Sequence, residues 1–188
     1  VFFSEVALNG KERVPHEGPV VVVANHPNGL IDPVVLGVAL RRPTHFLAKS
    51  TLFGNPVARF VMRAFRAIPV YRAKEADTAQ NERTFQLCRE VLQTSGFLAL
   101  FPEGISHSAP QLAPLKTGAA RIALSAEKAC DFTLGVRILP VGLTYEAKGT
   151  FRSRVSATVG TPFAITDLRG MEFVPAAGCS QFNGSVTR

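Results

Sequence analysis

Short apolar runs alternate with helical patterns through the middle of this chain, and that alternation admits few architectures. Residues 19–24, with Val20-Val21-Val22-Val23 behind Pro19, are short and β-branched, so they read as a buried strand. Residues 44–48, 97–101 and 138–143 are runs of the same kind, and Ile68-Pro69-Val70-Tyr71-Arg72 adds another. Helices are predicted over 33–40, 55–66, 77–95 and 117–129. In the 77–95 helix, Phe85, Leu87, Cys88, Val91 and Leu92 form an inner face, and Gly96 closes the end. A strand over 2–8 with a turn at Asn9-Gly10 comes first, and a polar-alternating edge strand over 153–159 comes last. Such an order implies an α/β fold with a mostly parallel central sheet and flanking helices. The length of 188 residues suits one domain, read here as residues 1–170. From Met171 the periodicity fails, and 171–188 read as an irregular tail or a truncated element.

Charge narrows the partners. The chain carries a formal net charge of +7, which suggests an anionic partner: nucleic acid, an acidic membrane surface or a phosphorylated substrate. With two Tyr and no Trp, a stacking platform for nucleic acid is a poor reading. The segment 55–66 places Val57, Phe60, Val61, Ala64 and Phe65 on one side, with Arg59, Arg63 and Arg66 between them. The favoured reading is a helix facing the core; the other is a helix lying apolar side down on an anionic bilayer. No apolar run is long enough to span a membrane. The chain begins at Val1 rather than Met, so a segment upstream of it is expected, and that segment could carry a membrane anchor. Cys88, Cys130 and Cys179 lack zinc-ligand spacing, and a reducing compartment is the simpler setting.

In open α/β sheets the site lies beyond the carboxyl ends of the strands. Here those ends carry His26, Arg72 and Glu103. Pro27, Asn28 and Gly29 force a turn that lets Asp32 fold back on His26. A carboxylate on one ring nitrogen fixes the tautomer and raises the basicity of the other, which suits a general base. Asp32 equally suits the N-cap of a helix starting at Pro33. Plainer structural readings accompany the others: Arg72 paired with Glu75, Glu103 bracing its loop, and Lys116 solvated.

Four blocks stand in order: Asn25-His26 with Asp32, Ile68-Pro69-Val70-Tyr71-Arg72, Phe101-Pro102-Glu103-Gly104 and Ile138-Leu139-Pro140-Val141. Together they resemble the glycerophospholipid acyltransferase family, over roughly residues 2–165. The stretch through Ile105-Ser106-His107 and on to Leu115-Lys116-Thr117-Gly118 is similar to a bacterial and fungal branch acting near glycerol-3-phosphate. The resemblance implies that His26, oriented by Asp32, deprotonates an acceptor hydroxyl, which attacks the thioester of acyl-CoA or acyl-carrier protein directly. Backbone N–H groups near the turn would hold the oxyanion. Arg72 and Lys116 would meet the acceptor phosphate, Glu103 and Gly104 would shape the acceptor pocket, and Asn25 joins this substrate-binding set. The acceptor would be glycerol-3-phosphate or a lysophospholipid, at the cytoplasmic face of a membrane, with neither metal nor cofactor. Two departures are visible. The family has one residue fewer between His and Asp, and it often carries arginine where Ser106-His107-Ser108 stand.

Two other functions fit the same residues: a non-catalytic lipid-binding module, and a thioesterase in which water replaces the acceptor. A serine hydrolase is disfavoured because no Gly-x-Ser-x-Gly elbow occurs. A metal enzyme is disfavoured because no His, Cys and carboxylate cluster has ligand spacing.

Overall fold

The computed structural model describes residues 3–71, 78–109, 111–148, 150 and 153–168. Its strands are β1 (Glu5–Asn9), β2 (Val20–Ala24), β3 (Thr44–Lys49), β4 (Ile68–Val70), β5 (Phe97–Leu100), β6 (Arg137–Tyr145), β7 (Arg154–Val159) and β8 (Phe163–Ala164). Its α-helices are α1 (Ile31–Leu40), α2 (Pro56–Ala64), α3 (Thr78–Gln93) and α4 (Gly118–Ala129). The strands form one sheet in the order β1-β7-β6-β2-β5-β3-β4, with β8 beside β6. Only the β6–β7 and β6–β8 pairings are antiparallel. The expected α/β class with a mostly parallel sheet therefore holds.

The valine run explains the centre. Val20, Val21 and Val22 are wholly buried because β2 has β5 on one side, β6 on the other and side chains on both faces. Val20 and Val22 join Leu36, Leu40, Phe97, Leu139 and Val155 in the layer beneath α1. Val21 joins Cys88, Leu92, Leu98, Ile122 and Ala126 in the layer beneath α3 and α4. Each buried valine contributes about 1.5–3 kcal/mol of transfer free energy, so the central strands anchor whatever stands at their ends.

Four expectations need correction. The 153–159 segment is not an edge strand: β7 lies between β1 and β6, leaving β1 at the edge. Its alternation reflects a strand with Val155, Ala157 and Val159 turned into the core. The helix after the turn starts at Ile31, not Pro33, and Asp32 sits in its first turn with Leu30 as N-cap, so Asp32 caps nothing. The segment α2 does not face the core. Asn55 caps it, accepting a hydrogen bond from the Ala58 N–H at 2.7 Å, and Pro56 opens it. Its apolar stripe points outward, with Val57 75% and Phe60 74% exposed, and Met62 alone is buried.

Gly96 plays a different part from the one expected. Ser95, not Gly96, takes the left-handed conformation after α3, at φ 57°. Gly96 is needed for space, since a Cβ there would stand 2.6 Å from the Val91 carbonyl oxygen. The expected tail at 171–188 lies outside the described residues, as does Arg72.

Candidate active site

Strands β2, β3, β4, β5 and β6 run parallel, so their carboxyl ends share one edge of the sheet. His26 follows β2 there, Lys49 ends β3, Phe101 and Glu103 follow β5, and Tyr145 ends β6. The turn Pro27–Leu30 brings α1 back over this edge. Gly29 adopts φ 46°, a left-handed backbone that absorbs the extra residue between His26 and Asp32. The His26 Nδ1–Asp32 Oδ2 distance is 2.9 Å.

Asp32 is wholly buried and accepts three hydrogen bonds. Oδ2 takes the Asn28 N–H at 2.8 Å and the His26 ring, and Oδ1 takes the Tyr145 hydroxyl at 2.5 Å. A carboxylate that receives only donors fixes the proton of His26 on Nδ1. The other ring nitrogen, Nε2, keeps its lone pair. The ring itself is stacked on Phe101, 4.0 Å between centroids and 11° from parallel.

The backbone of His26 is clamped from the other side. Its N–H donates to Glu103 Oε1 at 2.9 Å, and its carbonyl accepts the His107 N–H at 3.2 Å. Glu103 is 3% exposed and its second oxygen accepts from the His107 ring and from the Ala113 N–H. The Ala109 N–H donates to His107 Nδ1, so the His107 proton sits on Nε2, facing Glu103. Burial pushes the Glu103 carboxyl up, but the bonds from Ala113, His107 and His26 outweigh it and hold the group below its ordinary range. Here Glu103 is the brace of its loop, and its carboxylate faces backbone and His107.

A cavity of about 460 Å³ opens beside His26. Its walls are mostly apolar: Phe46 and Leu47 from β3, Met62 and Phe65 from the α2 segment, Leu100 and Phe101 from β5. Lys49, Lys116 and Ser106 bring polar groups to it. Leu30, Leu52, Val61 and Ile105 line it and are also exposed, so they form an apolar rim. The Lys116 backbone is held by its N–H on the Pro102 carbonyl at 2.8 Å. Its side chain lies over Gly104, where φ is 67° and a Cβ would meet Nζ at 2.5 Å. Glycine at 104 thus makes room for that lysine as well as for the turn.

Other expected residues sit differently. Asn25 does not line the cavity; its amide bridges to β6, donating to the Leu143 carbonyl at 2.9 Å and accepting the Leu143 N–H at 2.6 Å. Of the turn amides, Asn28 is committed to Asp32 and Gly29 donates to Ser106 Oγ at 2.9 Å. The sequence alone does not single out Tyr145, Phe101, Lys49 or Ser106 as functional. For Tyr145 the only signal is its place at the end of the fourth block's strand. Cys88 is no nucleophile: burial, little offset by Arg89, pushes its thiol up to about 12. Among the described residues, no three His, Cys, Asp or Glu side chains gather as a metal site, and no helix is long and apolar enough to cross a membrane.

A family model described as acyltransferase matches residues 5–144. Glycerol-3-phosphate O-acyltransferase 2 of Saccharomyces cerevisiae is 41% identical over 92 residues, which cover 49% of this chain and 12% of that protein. A 1-acyl-sn-glycerol-3-phosphate acyltransferase of Chlamydomonas reinhardtii is 30% identical over 142 residues, covering 75% of this chain and 39% of that one. The chain thus spans a minor part of the curated relatives it matches. Among solved structures, the 1-acyl-sn-glycerophosphate acyltransferase PlsC of Thermotoga maritima superposes with a TM-score of 0.66 at 23% identity, over 91% of this chain and 66% of that one.

Proposed function

The chain belongs to the glycerophospholipid acyltransferase family, and from that premise we propose that it moves a fatty acyl group from a thioester donor to a hydroxyl of glycerol-3-phosphate or its 1-acyl derivative. One observation carries this reading. A histidine held in its Nδ1–H form by a buried aspartate opens onto an apolar cavity that also receives two lysines. Few reactions need a base, a hydrocarbon slot and cations together.

His26 Nε2 takes the proton of the acceptor hydroxyl as its oxygen attacks the thioester carbonyl. Asp32 stabilises the imidazolium that forms. The tetrahedral oxyanion needs donors. Gly29 N–H, which bonds the Ser106 hydroxyl at the cavity, would supply one of them by exchanging that hydroxyl for the oxyanion. Collapse expels the thiolate, which recovers the proton from His26, and no acyl-enzyme forms. The acyl chain lies along Phe46, Met62 and Phe65. Lys116, with Arg72 as the resemblance implies, meets the acceptor phosphate. Glu103 serves by fixing the His26 backbone, and Asn25 by tying β2 to β6. The donor is acyl-CoA or acyl-carrier protein, with no cofactor, and residues 1–170 act as one catalytic domain.

CoA release from a long-chain acyl-CoA tests the reading, run with glycerol-3-phosphate, with lysophosphatidic acid and without acceptor. Stimulation by one acceptor is the expected result and identifies the step. Equal release in all three would replace the transferase with a thioesterase. Silence with both CoA and carrier-protein donors would leave only a binding module.

The same reading sets the protein on the cytoplasmic face of a membrane. Its support is α2, whose outward stripe of Val57 and Phe60 is flanked by Arg59 and Arg63 in a chain of net charge +7. Phe60→Asp is expected to weaken sedimentation with phosphatidylglycerol-containing vesicles, and salt to weaken that of the unaltered chain. Unchanged sedimentation of the variant would discard α2 as the contact.

A further inference from the structure

We infer that Tyr145 is a positioning residue for the transfer reaction, its phenol fixing the Asp32 carboxylate in the orientation that holds His26 as base. The inference rests on His26 being that base and adds a residue from a strand 113 positions away in sequence.

The geometry is specific. Asp32 is wholly buried, and each oxygen has defined partners. Oδ2 serves His26 at 2.9 Å and Asn28 N–H at 2.8 Å, whereas the bond on Oδ1 is the Tyr145 hydroxyl at 2.5 Å. A buried carboxylate needs donors in place of its lost water. The hydroxyl also holds the carboxylate's rotation, because a turn about its terminal bond would break the bond to Oδ1. The phenol is itself held: the Phe3 ring packs on it at 5.7 Å and 51°, and β6 pairs with β7 at Tyr145–Val155. Burial first, then the bond to Asp32, push the phenol above its ordinary value, so it remains a donor at working pH.

Among the described residues, the ionisable groups bonded to Asp32 are His26 and Tyr145. Glu103 and His107 reach it only through the His26 backbone. On β1 and β7, which pack against α1, the charged pair Glu5–Arg154 is solvent-exposed. Without the phenol, Asp32 loses the donor on Oδ1 and the restraint on its rotation, so it holds the His26 ring less firmly.

The test is Tyr145→Phe, assayed by CoA release at saturating and limiting acceptor. Expected are a ten- to hundredfold fall in kcat (roughly the cost of a misplaced group) and an unchanged acceptor KM. Wild-type kcat would overturn the inference. So would a fall in activity that comes with a raised acceptor KM and a lowered unfolding temperature, which is the mark of a packing role alone. His26→Ala assayed beside it separates the two readings. Substantial transfer by that variant removes the base and this inference with it, whereas a strongly impaired His26→Ala beside an unaltered Tyr145→Phe overturns the inference alone.

Discussion

His26→Ala is expected to lower acceptor-dependent CoA release about 100- to 10,000-fold, the usual worth of a positioned general base. The loss should fall on kcat, because the proton is taken only as the new bond forms. Little stability should go with it. The side chain is 19% exposed and its backbone bonds to Glu103 and His107 do not need an imidazole. The chief structural cost is a vacated Asp32 oxygen that still receives the Asn28 N–H, and the lost stacking on Phe101. Circular dichroism and the unfolding midpoint should therefore stay close to those of the parent while turnover falls by that factor. Substantial transfer by the variant would sink the proposed chemistry.

Glu103→Ala should harm both fold and turnover. It strands the part-buried N–H groups of His26 and Ala113 and frees His107 from its partner. An unsatisfied buried donor costs about 1–3 kcal/mol, so a loss of roughly 2–5 kcal/mol is expected in chemical denaturation. Activity should fall with it, since the His26 backbone loses one of its two clamps. Glu103→Gln is a sharper probe, because an amide presents N–H where donors already point. Acid should reproduce part of the effect. The folded carboxyl lies below its ordinary value of 4.5, so its contribution is complete above that pH and is lost as pH falls through the folded value. Glu103→Gln should flatten stability across that window. A variant as stable as the parent, with the same acid dependence, would remove Glu103 as the brace.

The sheet was readable because its strands are locally unambiguous: Val20–Val23 and Phe97–Leu100 are short, apolar and bounded by Pro or Gly. The His26–Asp32 turn was readable because Pro27, Asn28 and Gly29 leave the backbone little choice. What escaped depends on partners remote in sequence. Nothing near Tyr145 says that its hydroxyl will meet Asp32. Nothing in Asn25 says that its amide will be spent on Leu143. The periodicity of α2 gave an apolar stripe truly, yet periodicity carries no sign, and the stripe faces out. The place of β7 inside the sheet was hidden for a like reason, since small residues such as Ser156 and Ala157 suit an edge or an interior equally well. Glu103 was legible as a carboxylate at the right edge, but which groups it would meet depended on where the loop to Ala113 returned.

The turn after β2 and the loop after β5 are joined by three bonds: His26 N–H to Glu103, His107 N–H to the His26 carbonyl, and Gly29 N–H to Ser106; within the loop, the His107 ring in turn holds Glu103. Neither segment can drift alone over evolutionary time. A change at position 106 or 107 alters the footing of a histidine some eighty positions away, and its fitness effect depends on what the turn already contains. Epistasis between these two stretches, rather than independent tolerance at each, should shape which substitutions the lineage of this chain has been able to accept.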